Sequence, residues 1–194
     1  MRTRAPERVR VVALSPNQGK AEAVRTGLRA ALTAGCRQVG YLDADLSTPP
    51  EELTRLFEVL ASGSWGAVLG SRVGLLGWEI ERTPARHYLG RLFATTASLA
   101  LGITVYDTQC GAKVFRSTEA LTRALESPFL SRWAFDVELL SRLTHGPNAL
   151  TPGEIREEPL RVWHHVHGSK LTPRHMLLAA KDLARIAWNE RRRR

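Results

Sequence analysis

The chain has 194 residues, of which 43% are hydrophobic and 24% charged, a balance that suits one soluble domain with an ordinary core and excludes a disordered or fibrous protein. A formal net charge of +9 favours acidic partners: phosphorylated substrates, anionic lipid or nucleic acid. The two cysteines, Cys36 and Cys110, form neither a C-x-x-C pair nor a disulfide framework, which points to a reducing compartment, and neither a leader-like apolar N-terminus nor an uncharged apolar run of about 18 residues is found.

In chain order, residues 1–8 read as a flexible basic lead, 9–14 (VRVVAL) as a short strand and 15–20 (SPNQGK) as a turn. A helix follows to about Ala34, with Val24, Leu28, Ala31 and Leu32 on one face and Gly35 as its stop. A buried strand containing Val39, Tyr41 and Leu42 then delivers two carboxylates, Asp43 and Asp45. Thr48 reads as the cap of the next helix, followed by Pro49 and Pro50, with Glu51 and Glu52 in the first turn. Residues 67–69 read as a strand ending in Gly70-Ser71-Arg72, and 73–83 as a mobile loop. The spacing predicts a helix over 84–101, with Arg86, His87 and Arg91 at its front and no charge from Leu92 to Tyr106. Residues 107–116 (DTQCGAKVFR) form a turn into a strand, and Ser117 caps a short helix. A helix over 135–143 carries Asp136 and Glu138 at its front, 155–163 is extended, and 172–194 form a C-terminal basic amphipathic helix. Alternating strands and helices predict an α/β fold with a mainly parallel sheet flanked by helices. All 194 residues read as a single domain.

Several of these residues have two readings. The D-A-D at the end of a strand either holds a divalent cation with substrate phosphates or is an acidic turn before a helix. Asn17, Gly19 and Lys20 open a helix N-terminus suited to an anion, or Lys20 is a solvated surface lysine. Arg72 and Lys170 suit phosphate; for Arg72 the alternative is a surface ion pair. Asp107 is either a functional carboxylate or an Asx-turn residue. Gln109 and Cys110 shape the turn rather than react. Asp136 and Glu138 rank second, since acids at a helix start also complement its dipole. In His164, His165 and His167, an extended backbone puts His165 and His167 on one face and His164 on the other, and a histidine-rich loop is more often polar surface than a metal site.

Taken in order, N-x-G-K, D-A-D, G-S-R, D-T-Q-C-G-x-K-x-F, W-x-F-D-x-E-L and G-S-K resemble the family 2 glycosyltransferases of GT-A fold that act on polyprenyl phosphates. The likeness runs from about Val9 to Lys170, and D-T-Q-C-G leans toward the branch that glucosylates dolichyl phosphate over the branch that mannosylates it. The resemblance implies a GT-A-like (Rossmann-like) fold and inverting transfer of a hexose, glucose from UDP-glucose, to a polyprenyl or dolichyl phosphate. It implies Mg²⁺ or Mn²⁺ at Asp43 and Asp45, donor and phosphate contacts from Asn17, Gly19, Lys20, Arg72 and Lys170, and Asp107 as catalytic base or acceptor-positioning carboxylate. Family members open with a strand–turn–helix unit carrying a P-x-Y-N-E-like motif, and this chain starts at what reads as their third strand. A half-present nucleotide cradle and an N-terminally truncated sheet, with an edge open to homodimer formation, are therefore expected. The expected location is the cytoplasmic face of a membrane, peripherally bound. Two other readings stand beside this one: a non-catalytic or fragmentary relative that binds lipid or a partner, and a basic nucleic-acid-binding protein. Only charge favours the latter, since no base-stacking or helix-turn-helix pattern is present, so no nucleic acid is expected as partner.

Overall fold

The computed structural model describes residues 8–80, 94–98, 102–164, 181–186 and 188. The helices are α1 (Lys20–Thr33), α2 (Pro50–Ser62), α3 (Glu119–Ala124) and α4 (Phe135–Thr144). The main strands are β1 (Gln38–Leu42), β2 (Ala67–Ser71), β4 (Ala112–Arg116) and β5 (Ile155–Pro159), and the short strands β3 (Glu79–Ile80) and β6 (Val162–Trp163) pair with each other. Residues 94–98 and 181–186 are helical. Arg86, His87, Arg91, His165, His167, Lys170 and most of 172–194 lie outside the described residues.

The central sheet has the order β1-β4-β2-β5. β4 runs antiparallel to both β1 and β2, whereas β5 is parallel to β2. Three strands therefore share a direction, as expected of an α/β sheet, but β1 and β2 are separated by an inserted strand of opposite sense. The period-two alternation of the strands feeds two cores. Val39, Tyr41, Leu69 and Phe115 face α1, α3 and α4, packing with Leu28, Leu121, Phe135 and Leu139. Val68, Ala112 and Val114 face Leu56 and Leu60 of α2. Each of these two leucines is fully buried, which contributes about 1.5–3 kcal/mol per side chain.

Three expectations change. Glu79–Ile80, inside the stretch read as a loop, forms β3 because it finds a ladder partner in β6. Residues 9–14 form no strand; Val11 is 58% and Val12 47% exposed. An apolar run becomes a strand only when its backbone finds a ladder partner, and among the described residues this one has none. Helix caps shift by one position. Pro49 rather than Thr48 precedes α2, and Thr118 rather than Ser117 caps α3, its Oγ1 accepting the Leu121 N–H at 3.2 Å.

Candidate functional site

The topology gathers the motifs at one sheet edge. β1 and β2 end there, with Asp43-Ala44-Asp45 and Arg72 immediately beyond. Because β4 is antiparallel to both, the turn that precedes it, Asp107 to Gly111, arrives at the same edge. β5 also ends there: the Leu160 N–H donates to the Ser71 carbonyl (2.9 Å), and the His164 N–H to the Ser47 carbonyl (2.9 Å). The carboxyl ends of like-directed strands are where open α/β sheets bind ligands.

The N-x-G-K loop supplies a cation. Asn17 Oδ1 accepts the Gly19 N–H at 2.8 Å and bends the chain. Gly19 has φ +86°, a left-handed conformation that favours glycine, and the Arg132 guanidinium lies close over it. Lys20, the first residue of α1, then directs its Nζ to Asp43 at 2.7–2.8 Å and lies 5.6 Å from the centre of the Phe135 ring. With 44% of the Lys20 side chain and 29% of the Asp43 side chain exposed, the pair contributes little to stability, and Lys20 is open to an incoming anion.

The D-A-D itself is held from below. The Asp43 N–H donates to the Gly111 carbonyl (2.8 Å), and the Asp43 carboxyl lies over the Gly111 Cα. Asp45 is exposed, and its Oδ1 accepts the Ser47 N–H at 3.0 Å in an Asx turn leading to α2. The functional and the capping readings thus coexist in Asp45. Among the described residues no three or more His, Cys, Asp or Glu side chains are grouped for a metal ion. Two hard carboxylates fit Mg²⁺ or Mn²⁺ together with phosphate and water oxygens, the usual way Mg²⁺ is held.

Arg72 and Asp107, expected separately, form one unit. Arg72 donates through Nε to Asp107 Oδ2 (2.6 Å), through Nη2 to Oδ1 (2.8 Å) and through its backbone N–H to Oδ2 (3.1 Å). The Gln109 N–H donates to the same carboxylate at 3.2 Å, and Glu157 accepts the Tyr106 and Asp107 N–H groups at 2.6 and 2.8 Å. Burial works against the Arg72 charge, but the Asp107 carboxylate outweighs it and holds the guanidinium pKa above the ordinary arginine range. The guanidinium lies 5.4 Å from the centre of the Trp163 ring. Beside this unit, Ser71 Oγ, Thr108 Oγ1 and Gln109 Nε2 are buried with no hydrogen-bond partner among the described residues.

Cys110 is fully buried; burial first, then Asp107, push its thiol up to about 11, so it stays protonated and unreactive at neutral pH. Asp136 and Glu138 are also buried. Asp136 accepts the Lys113 Nζ at 2.6 Å and the Tyr41 hydroxyl. Glu138 ties the preceding loop, accepting the Leu130 N–H (2.8 Å), the Ser131 N–H (3.3 Å) and Arg142 Nη2 (2.6 Å). Lys113, Glu157 and Gly111 were not anticipated as site residues. The signal for Lys113 is a cation flanked by apolar residues near the start of a strand; for Glu157 there is none, since its role depends on a turn 50 residues away.

The model of the family described as glycosyl transferase family 2 matches residues 2–120. Among curated proteins, dolichyl-phosphate beta-glucosyltransferase of Drosophila melanogaster is 35% identical over 86% of this chain and 50% of its own length. The human protein of that name is 32% identical over 86% of this chain and 50% of its own length. A Trichomonas vaginalis dolichyl-phosphate beta-glucosyltransferase is 32% identical over 92% of this chain and 52% of its own. The chain thus spans about half the length of the curated relatives it matches.

Proposed function

This chain belongs to glycosyl transferase family 2, and from that premise we propose that it transfers glucose, from UDP-glucose, to a polyprenyl phosphate of the dolichyl type with inversion. The observation that carries this reading is the convergence of Lys20–Asp43, Asp45 and Arg72–Asp107 on one sheet edge. Cations and oxygen donors brought together in this way support a site that takes a diphosphate and a second phosphate.

The reaction has simple bookkeeping of bonds. An acceptor phosphate oxygen attacks the anomeric carbon, the bond from that carbon to the diphosphate oxygen breaks, and the electron pair leaves with UDP. Asp43 and Asp45 would hold Mg²⁺ or Mn²⁺, which when bound neutralises charge developing on the leaving diphosphate. Lys20 exchanges its exposed contact with Asp43 for a donor phosphate oxygen. Arg72, kept charged and oriented by Asp107, receives the acceptor phosphate. A phosphate monoester has a second pKa near 6, by analogy with phosphorylated side chains, and is largely dianionic at neutral pH. The attacking oxygen needs no base, so Asp107 works by aiming Arg72. Lys170 contributes a further phosphate contact, and the chain works at the cytoplasmic membrane face through its basic segments.

The test is calorimetric titration of UDP-glucose with Mn²⁺ and then with EDTA, followed by a radiolabelled transfer assay to polyprenyl phosphate. Tighter binding with Mn²⁺, weakened by Asp45→Asn, and labelled lipid product are expected. Equal affinity in EDTA would remove the metal role. Binding without any product from an otherwise folded chain would favour the lipid- or partner-binding relative.

A further inference from the structure

We propose that Lys113 is a positioning residue which, through a buried ion pair, sets where the Asp43 carboxylate stands. Three of its contacts lead there. Its side chain is entirely buried, and Nζ donates to Asp136 Oδ1 and to the Cys110 carbonyl, both at 2.6 Å. The Cys110 carbonyl belongs to the peptide that joins Gly111. Gly111 in turn is the surface on which Asp43 rests: its carbonyl accepts the Asp43 N–H at 2.8 Å, and a Cβ on it would stand 2.1–2.6 Å from the Asp43 carboxyl atoms. A shift of this peptide therefore moves Asp43.

The other side of Asp43 is tied to the same pair. Tyr41 lies two residues before Asp43 and is Lys113's register partner across the β1–β4 ladder. Its hydroxyl donates to the Asp136 oxygen that Lys113 uses, and Lys113 Nζ lies 5.5 Å from the centre of its ring. The pair thus joins the D-A-D strand, the D-T-Q-C-G turn and the first turn of α4, three segments that meet only in the folded chain. A lysine is costly to bury, and the same core could be filled by an apolar side chain without that cost. A hydrogen bond to a backbone carbonyl is what an apolar side chain does not supply.

Replacing both charges separates positioning from stability. The double variant Lys113→Met with Asp136→Asn removes the ion pair while leaving an acceptor for the Tyr41 hydroxyl, and thermal stability equal to or above wild type is expected. In that variant, hydrogen exchange at the Asp43 amide should accelerate about tenfold or more relative to the Val39 amide. The consequence for catalysis rests on the proposed function: the KM for UDP-glucose should rise about tenfold with the KM for polyprenyl phosphate unchanged. Leu143→Ala, at the far end of α4, serves as the control; it should lower stability and leave both KM values alone. Unchanged Asp43 exchange in the double variant would overturn the proposal whatever the kinetics. Accelerated exchange in a chain whose wild type does not bind UDP-glucose would leave the positioning role standing and remove the donor assignment instead.

Discussion

At position 111 an added methyl group would stand 2.1 Å from the Asp43 carboxyl carbon, closer than any real contact, so the side chain of Asp43 must leave its place when Gly111→Ala is made. The overpacking costs about 1–3 kcal/mol, and the expected outcome is loss of Mn²⁺-dependent UDP-glucose affinity in a chain that still folds. Unchanged affinity by calorimetry would show that Asp43 is not a donor-site ligand. Cys110 offers a second prediction at this scale. Its thiol titrates at about 11 when folded, raised by burial and by Asp107 from an ordinary value of 9.0. The folded state therefore holds the proton more tightly than the unfolded one. This contribution is fully present below pH 9 and is lost as the pH rises toward 11, with a slope of at most about 1.4 kcal/mol per pH unit. Urea unfolding of the wild type should weaken over that range, and Cys110→Ala should show a shallower decline. With Ellman's reagent at pH 8, exposed Cys36 should react in the native chain and Cys110 only after denaturation.

At the scale of the element, α4 shows how a helix that carries a motif also fastens a loop. Arg142 and Glu138, one turn apart, pair at 2.6 Å and are both buried. Arg142 also donates to the carbonyls of Ala124, Ser127 and Pro128 at 2.7–2.9 Å, while Glu138 accepts the Leu130 and Ser131 N–H groups. The two charges thereby hold the connection between α3 and α4 and set the register of the turn before Phe135, the residue beneath Lys20. Glu138→Gln leaves the Arg142 charge buried without its counter-ion, which costs about 3–5 kcal/mol. A fall in melting temperature is expected, with UDP-glucose affinity measured well below that temperature retained. Lost affinity in a stable Glu138→Gln variant would instead place Glu138 in the site itself.

At the scale of the whole molecule, charge and the absence among the described residues of a helix long and apolar enough to cross a membrane frame the question of lipid. On the proposed transfer to a lipid phosphate, a chain of net charge +9 should bind anionic vesicles by attraction of its basic segments, at about 1 kcal/mol per residue near the surface. Co-sedimentation with phosphatidylserine vesicles should fall with added salt and with deletion of Arg191 to Arg194; indifference to both would refute it. By itself the sequence determined what depends on neighbours within a few residues. Pro49-Pro50 with two acids announced α2, Gly19 and Gly35 bracketed α1, and D-A-D followed an apolar strand, because periodicity, glycine and proline act locally. Tertiary structure alone decided what depends on distant partners. It inserted β4 between β1 and β2, and it denied residues 9–14 a ladder. It turned Arg72 and Asp107, 35 residues apart, into one unit, and buried Lys113 against Asp136, 23 residues away. Each charged side chain carries the same local signal whether it faces solvent, a ligand or another charge. Burial and the low dielectric that comes with it choose among these, and both exist only once the sheet and its two helical layers have closed.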